Sequence, residues 1–147
     1  MTDQPILLVE DSPEDYETTV RGLRKAGFSN QVYRCEDGED ALDFLYRRGA
    51  YAEPGRARRP VMILLDLNLP GTDGRDVLFE IKRDPKLRTI PVVVLTTSRH
   101  ERDIQTCYDA GANSYIQKPV RLEEFMRAID RLKAYWFEVV ILPKEHA

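Results

Sequence analysis

Strand-like apolar runs alternate with amphipathic helical stretches five times along this chain of 147 residues. The runs at residues 6–9, 61–65 and 92–95 consist only of Val, Ile, Leu and Met, which is typical of strands buried on both faces. Strand patterns that also contain polar residues lie at residues 31–35 and 114–117. Because neighbouring parallel strands need helical crossovers, this alternation predicts an α/β fold with a five-stranded parallel sheet and helices on both of its faces.

The stretches between the strands carry helix signals. Ser12 and Pro13 favour a helix start, and Gly27 suits a left-handed cap after that helix ends near Ala26. We expect a turn at residues 37–38 before the second helix. Apolar residues at helical spacing mark the other four predicted helices. These residues are Ala41, Leu42, Leu45 and Tyr46 in the second helix, and Val77, Leu78 and Ile81 in the third. In the fourth helix they are Ile104, Cys107 and Tyr108, and in the last helix Leu122, Phe125, Ile129, Leu132 and Trp136.

Polar side chains follow four of the predicted strands. Glu10 and Asp11 follow the first strand, Asp66 the third, Thr96 the fourth and Lys118 the fifth. In a doubly wound sheet of order 2-1-3-4-5, ligands bind outside the carboxyl ends of the strands, at the switch point between strands one and three. The sequence therefore predicts that these side chains converge at one edge of the sheet.

The predicted cluster suits a divalent cation. Mg²⁺ prefers oxygen ligands in octahedral geometry and keeps several waters, so a few carboxylates and a carbonyl are sufficient. We expect Asp11 and Asp66 to be direct ligands. Asn68 follows Asp66 by two residues and would contribute its backbone carbonyl, and Glu10 would act through a water. Any one of these acids taken alone is equally well explained as a solvated surface group.

The same cluster suits a phosphoryl group. An aspartate can act as the nucleophile in phosphoryl transfer, and Asp66 is the candidate. The Lys118 ammonium can contact phosphoryl oxygens, and the Thr96 hydroxyl can donate to another of them. A surface lysine and a helix-capping threonine remain the alternative explanations for these two residues.

These motifs together make residues 5–134 similar to the receiver domain of two-component response regulators, which has a flavodoxin-like (CheY-like) doubly wound fold. The motifs that carry the resemblance are residues 8–11, 65–70 with Asp73 and Gly74, 95–97 and 111–119. The resemblance implies that a sensor histidine kinase phosphorylates Asp66, and that the domain catalyses this transfer and its own slow dephosphorylation with Mg²⁺. It also implies that Thr96 moves toward the phosphate while Tyr115 rotates inward, although edge packing would equally explain a tyrosine there.

Three segments resemble one particular group of response regulators. The loop at residues 49–60, the run at 91–98 and the ending at 135–143 look like the small stand-alone regulators that are paired with bacterial phytochromes. This resemblance implies a bacteriophytochrome as the kinase partner, and a homodimer formed through the last helix, strand five and the C-terminal extension. We expect a receiver domain at 1–134 and a hydrophobic extension at 135–147, with no output domain.

Composition excludes several other classes. The formal net charge of −3 gives no overall attraction to DNA, and the arginines in and near the 49–60 loop are better explained as solvated side chains. No apolar run approaches the ~18 residues of a membrane span, and no signal peptide is present, so we expect a cytoplasmic protein. Cys35 and Cys107 lack metal-ligand spacing and should be free thiols.

Two other functions compete with the receiver hypothesis. The first is a phosphatase that uses a strand-end aspartate as nucleophile and Mg²⁺ as cofactor. Such sites normally carry a second acid two residues after the nucleophile, where this chain has Asn68. The second is a binding module whose site no longer acts, and the full set of polar residues at the strand ends disfavours it.

Overall fold

The computed structural model describes residues 4–118 and 121–134. Its sheet is parallel throughout and has the order β2-β1-β3-β4-β5, as predicted. The strands are β1 (Ile6–Val9), β2 (Val32–Cys35), β3 (Met62–Asp66), β4 (Val92–Thr96) and β5 (Ser114–Gln117). The helices are α1 (Pro13–Lys25), α2 (Gly38–Tyr46), α3 (Gly74–Arg83), α4 (Glu101–Asp109) and α5 (Leu122–Ala134), with a 3₁₀ turn at Gly49–Tyr51.

Helices cover both faces of the sheet, which explains the apolar strands. Side chains along a strand point alternately to opposite faces. One set of core residues packs with α2, α3 and α4, and its strand members include Leu7, Val9, Ile63, Leu65, Val92 and Val94. The other set packs with α1 and α5, and its strand members include Ile6, Leu8, Met62, Leu64, Val93 and Leu95. The three central strands are thus buried on both sides.

The helix ends follow local capping chemistry. The Ser12 hydroxyl accepts a hydrogen bond from the Asp15 amide at 3.3 Å, which starts α1 as predicted. The predicted turn lies one residue earlier than expected, as a bend at residues 36–37. The Asp37 carboxylate accepts the Asp40 amide at 2.8 Å, and Gly38 is already the first residue of α2. This helix ends at Tyr46, and Arg47 adopts the left-handed conformation after it.

Most predicted apolar helix faces are buried. Phe125 and Ile129 of α5 belong to the core, so this part of the predicted stripe packs on the sheet. Tyr108 was included in the apolar face of α4 but is 46% exposed, because Cys107 is the residue of that turn that faces the core. Trp136 and the predicted extension at 135–147 lie outside the described residues. Cys35 and Cys107 are free and buried, as expected.

A glycine allows α1 and α5 to approach closely. A Cβ atom on Gly22 would lie 2.6 Å from Cδ1 of the buried Phe125 ring. We expect Gly22→Ala to lower the free energy of unfolding by about 1 kcal/mol, because overpacking outweighs the gain in helix propensity. Urea unfolding measures this change. In the Phe125→Leu background the same substitution should cost nothing, and an equal cost there would contradict the explanation.

Within the described part of the chain, no helix combines the length and the apolar character that crossing a bilayer requires.

Candidate functional site

The carboxyl ends of the parallel strands bring the predicted polar residues together. Glu10 follows β1 directly, Asp66 is the last residue of β3, Thr96 is the last residue of β4, and Lys118 follows β5. Glu10, Asp66, Thr96 and Lys118 are all buried polar residues, although each lies where a strand ends. A buried polar cluster of this kind must satisfy its hydrogen bonds internally.

The Lys118 ammonium lies at the centre of the cluster. It donates hydrogen bonds to Glu10 Oε1 at 2.5 Å, Asp15 Oδ2 at 2.8 Å and Asp66 Oδ2 at 3.1 Å. Only 8% of the Lys118 side chain is exposed. The three ammonium protons therefore have three carboxylate acceptors, which links the ends of β1, β3 and β5 to the first turn of α1.

Burial and charge shift the acid–base properties of this cluster. Burial raises the pKa of Glu10 to about 7, although the hydrogen bond and the charge of Lys118 act in the opposite direction. Burial by itself would lower the pKa of Lys118, but hydrogen bonds to Asp15 and Glu10 and the charge of Asp66 outweigh it, so the pKa is raised. Lys118 is thus a permanent cation at neutral pH.

The acidic residues fit a divalent cation. Glu10, Asp11 and Asp66 each offer a carboxylate oxygen, and these oxygens lie within 4.8 Å of one another. Asp11 is exposed whereas the other two are buried, so the cluster opens to solvent on the side of Asp11. One ammonium does not compensate this many carboxylates, and hard oxygen donors with excess negative charge are the set that Mg²⁺ and Mn²⁺ prefer.

Asn68 connects the loop after β3 with the loop after β4. Its backbone amide donates to Asp66 Oδ1 at 3.1 Å, and its side-chain amide donates to the hydroxyl oxygens of Thr96 and Thr97, both at 3.2 Å. The Ser98 amide also donates to Thr96 Oγ1, at 3.4 Å. The Thr96 hydroxyl is therefore held on the side of Asn68 and Ser98.

Gly74 lets the β3–α3 loop fold back on itself. Its amide donates to the Leu67 carbonyl at 3.0 Å, and a Cβ atom there would overlap the backbone of Asp66 and Leu67. Any other residue at this position would displace the loop that carries Asn68. The sequence feature Asp73-Gly74 is thus explained by close backbone approach.

A second polar network lies beside the cluster. The Tyr115 hydroxyl donates to the Ser98 carbonyl at 3.1 Å, and the Ser98 hydroxyl donates to Asp103 Oδ2 at 2.6 Å. Arg75 Nε and Nη2 donate to the two Asp103 carboxylate oxygens at 2.9 and 2.7 Å. The hydrogen bonds from Arg75 and then Ser98 lower the pKa of the Asp103 carboxyl to about 2. This network joins the start of α3 to α4 and β5.

The structure brings the predicted site residues to one end of the sheet. It places Glu10, Asp66 and Lys118 in direct contact, Asp11 in the same acidic cluster, and Asn68 between Asp66 and Thr96. The Tyr115 hydroxyl is connected to this group through the Ser98 backbone, whose carbonyl accepts from Tyr115 and whose amide donates to Thr96 Oγ1. The roles assigned to these residues remain predictions.

Sequence reasoning missed several contributors. Asp15 is not among the predicted site residues, yet its carboxylate accepts a hydrogen bond from Lys118. Its position four residues after Asp11 on a helix that starts at the site is the signal that was available. The Arg75–Asp103 pair joins residues 28 positions apart, and no local pattern in the sequence indicates it.

Comparison with known proteins identifies the family. Residues 6–130 match the family model described as the response regulator receiver domain. The chain belongs to this family. The receiver fold of the match is the one observed here, with five parallel strands in the order 2-1-3-4-5.

Individual relatives agree with this assignment of a receiver domain. Response regulator Rcp1 of Synechocystis sp. is 41% identical over 94% of this chain and 92% of its own length. The crystal structure of Mn²⁺-bound Rcp1 is 40% identical, has a TM-score of 0.80, and is matched over 96% of this chain and 99% of that chain. The bacteriophytochrome response regulator RtBRR is 40% identical, has a TM-score of 0.81, and is matched over 97% of this chain and 85% of its own.

A receiver domain with bound magnesium is also similar. It belongs to the sensor histidine kinase PA1611 of Pseudomonas aeruginosa and carries the ion in its active-site cleft. It is 32% identical to this chain, has a TM-score of 0.68, and is matched over 88% of this chain and 97% of that chain.

A receiver domain works in two-component signalling with a histidine kinase, so membership of the family disfavours the phosphatase and binding-module alternatives.

Proposed function

We propose that this receiver domain accepts a phosphoryl group on Asp66 from a histidine kinase and signals through the resulting change of its surface. The observation that carries the proposal is the Lys118 ammonium, which lies 3.1 Å from Asp66 Oδ2 at the centre of a carboxylate cluster. A permanent cation beside a candidate nucleophile is suited to stabilise the negative oxygens of a transferring phosphoryl group.

The proposed transfer is a single displacement at phosphorus. An Asp66 carboxylate oxygen attacks the phosphorus of a phosphohistidine, the O–P bond forms as the N–P bond breaks, and the imidazole leaves with the electron pair and is protonated from solvent. Lys118 neutralises charge on the phosphoryl oxygens. The Asn68 amide, 3.1 Å from Asp66 Oδ1, keeps the carboxylate oriented. Hydrolysis of the acyl phosphate by water returns Asp66 and makes the signal transient.

The same proposal assigns the cation ligands. Asp11, Asp66 and the Asn68 carbonyl would bind Mg²⁺ directly and Glu10 through a water, which agrees with the clustered carboxylate oxygens. The Mn²⁺ in Rcp1 and the magnesium in the PA1611 receiver domain support the presence of such an ion. When bound, the cation supplies charge neutralisation for the acidic cluster and for the incoming phosphate.

Thr96 and Tyr115 would form the switch. The Thr96 hydroxyl now accepts from Asn68 and Ser98, and the Tyr115 hydroxyl donates to the Ser98 carbonyl. Movement of Thr96 toward a phosphate on Asp66 would break the first two bonds and release the loop that holds Tyr115. We infer that the output surface is formed by α4, β5 and α5.

The proposal also names a specific kinase partner and an oligomeric state. The similarity to RtBRR supports a bacteriophytochrome as the kinase. We propose a homodimer through α5, β5 and the hydrophobic extension at 135–147, whose run 139–142 is Val-Val-Ile-Leu. A receiver domain at 1–134 and a cytoplasmic location remain predictions.

The direct test is chemical mapping of the phosphorylated residue. With Mg²⁺ and either acetyl phosphate or a bacteriophytochrome kinase, we expect one alkali-labile, acid-stable phosphate per chain. Borohydride reduction followed by mass spectrometry should locate it at Asp66, and EDTA should prevent it. A phosphate mapped elsewhere would overturn the proposal. Rapid multiple turnover of small phosphate esters would instead favour the phosphatase.

The Arg75–Asp103 pair should favour the unphosphorylated arrangement, because it anchors the Ser98 loop that must move. We expect Arg75→Ala to raise the affinity for beryllofluoride, a phosphoryl analogue, by about fivefold, the equivalent of losing a partly exposed ion pair of about 1 kcal/mol. Arg83→Ala is the matched control, since Arg83 lies on the same helix but stacks on Phe79. Unchanged affinity despite lowered stability would mean that the pair only stabilises the fold.

A further inference from the structure

Arg34 reaches from β2 to the turn that carries the acidic residues. Its Nε donates to the Glu10 carbonyl and its Nη2 to the Asp11 carbonyl, both at 3.0 Å. The guanidinium carbon lies 5.2 Å from the centroid of the Tyr16 ring, and the side chain is 23% exposed. The guanidinium is therefore fixed from two directions, by hydrogen bonds in its plane and by an aromatic face.

The position of Arg34 in the sheet explains this reach. It pairs with Leu8 in the parallel register of β1 and β2, so its long side chain extends along β1 toward the residues that follow that strand. The Glu10 amide also donates to the Cys35 carbonyl at 2.9 Å. Strand β2 thus holds the backbone of the Glu10–Asp11 turn by three hydrogen bonds.

Arg34 binds the main-chain carbonyls of the two acids, whereas Lys118 binds the carboxylate of Glu10. Arg34 therefore affects the direction in which the side chains of Glu10 and Asp11 leave the backbone. This matters most for Asp11, whose exposed side chain is not enclosed by the core. A planar guanidinium can bridge two successive carbonyls, and a single ammonium matches that geometry poorly.

We infer that Arg34 is a positioning residue of the cation site, which it serves by fixing the backbone from which Asp11 and Glu10 present their carboxylates. The inference rests on the cation site of the proposed function. A purely electrostatic role would act in the opposite direction, because a guanidinium near the site repels a divalent cation. The two roles therefore predict changes of opposite sign when the charge is removed.

Binding of Mn²⁺ to the full chain, followed by the electron paramagnetic resonance of the free ion, separates these roles. We expect Arg34→Met and Arg34→Lys both to weaken Mn²⁺ binding, by about tenfold, as for other residues that orient metal ligands. Glu36→Gln is the matched control, because it removes the 3.4 Å ion pair of Arg34 without touching the carbonyl contacts. Its Mn²⁺ affinity should equal that of the parent chain.

Three outcomes would overturn the inference. They are unchanged or tighter binding in Arg34→Met, parental affinity in Arg34→Lys, and a loss in Glu36→Gln equal to that in Arg34→Met. Circular dichroism verifies folding, and Arg34→Lys serves as the test if Arg34→Met does not fold. Other outcomes would contradict the proposed function itself. In that case the parent chain would bind no Mn²⁺, or Asp66→Asn would bind Mn²⁺ with unchanged affinity.

A second readout separates positioning from general destabilisation. In phosphorylation by acetyl phosphate, Arg34→Lys should need about ten times more Mg²⁺ for its half-maximal rate and should reach the parental rate when Mg²⁺ saturates. A lowered rate at saturating Mg²⁺ with an unchanged requirement would show that Arg34 does not act through the cation.

Discussion

Replacing Asp66 with asparagine is expected to abolish phosphorylation of this chain by acetyl phosphate and by its kinase. Asparagine has nearly the same shape as aspartate, but its amide is not a nucleophile, so the acyl phosphate cannot form. The remaining carboxylates, Glu10 and Asp15, still surround Lys118, which should keep the variant folded. Phosphate incorporation measured by intact-mass spectrometry checks this expectation.

Asp76→Asn is the matched control for this substitution. Asp76 is an exposed aspartate in the first turn of α3, so its replacement changes the net charge equally without touching the cluster. It should be phosphorylated at the parental rate. Incorporation that persists in Asp66→Asn would show that another residue accepts the phosphoryl group, and the assignment of Asp66 would then be wrong.

Replacing Lys118 with methionine is expected to slow phosphorylation of Asp66 by about 100-fold, the typical effect of removing one group that stabilises developing charge in a transition state. The methionine keeps much of the apolar stem but leaves Glu10, Asp15 and Asp66 without the ammonium they now share. Repulsion among these carboxylates should also oppose the approach of a phosphate. Initial rates with acetyl phosphate at saturating Mg²⁺ measure the effect.

Lys82→Met provides the control for loss of a partly buried lysine. The Lys82 ammonium donates to the carbonyls of Arg88 and Ile90 at 3.0 and 2.8 Å, on the loop before β4 rather than at the strand ends. Burial lowers the pKa of Lys82 to about 8, in contrast to the raised pKa of Lys118. We expect a parental phosphorylation rate. A Lys118→Met variant within threefold of the parent would exclude a role for that ammonium in the transfer.

Local patterns were sufficient to predict most of the fold. The continuous apolar runs predicted central strands correctly, because burial on both faces leaves no place for polar residues. The strand order 2-1-3-4-5 came from the resemblance to receiver domains, and in that order the carboxyl ends of the strands place Asp66 and Glu10 at the same edge. The turn predicted at residues 37–38 lies at 36–37 instead, because Gly38 already belongs to the helix that begins with the hydrogen bond between Asp37 and Asp40.

The details of the site depended on long-range contacts. Lys118 lies 103 positions from Asp15 and 108 from Glu10, so their pairing exists only after the strands have assembled. The contacts of Arg34 with the β1–α1 turn likewise require the register in which it pairs with Leu8. Such contacts leave no periodic trace in the sequence, since each depends on one side chain and its reach.

By itself, the sequence determined the succession of strands and helices along the chain and which polar residues follow the strands, because hydrophobic periodicity and capping are local properties. The tertiary structure decided which of these groups touch. It gave Lys118 three carboxylate partners, turned the Thr96 hydroxyl toward Asn68, and connected Arg34 to the backbone of the acidic turn. These outcomes depend on distances between elements that are remote along the chain, and only the packed sheet sets those distances.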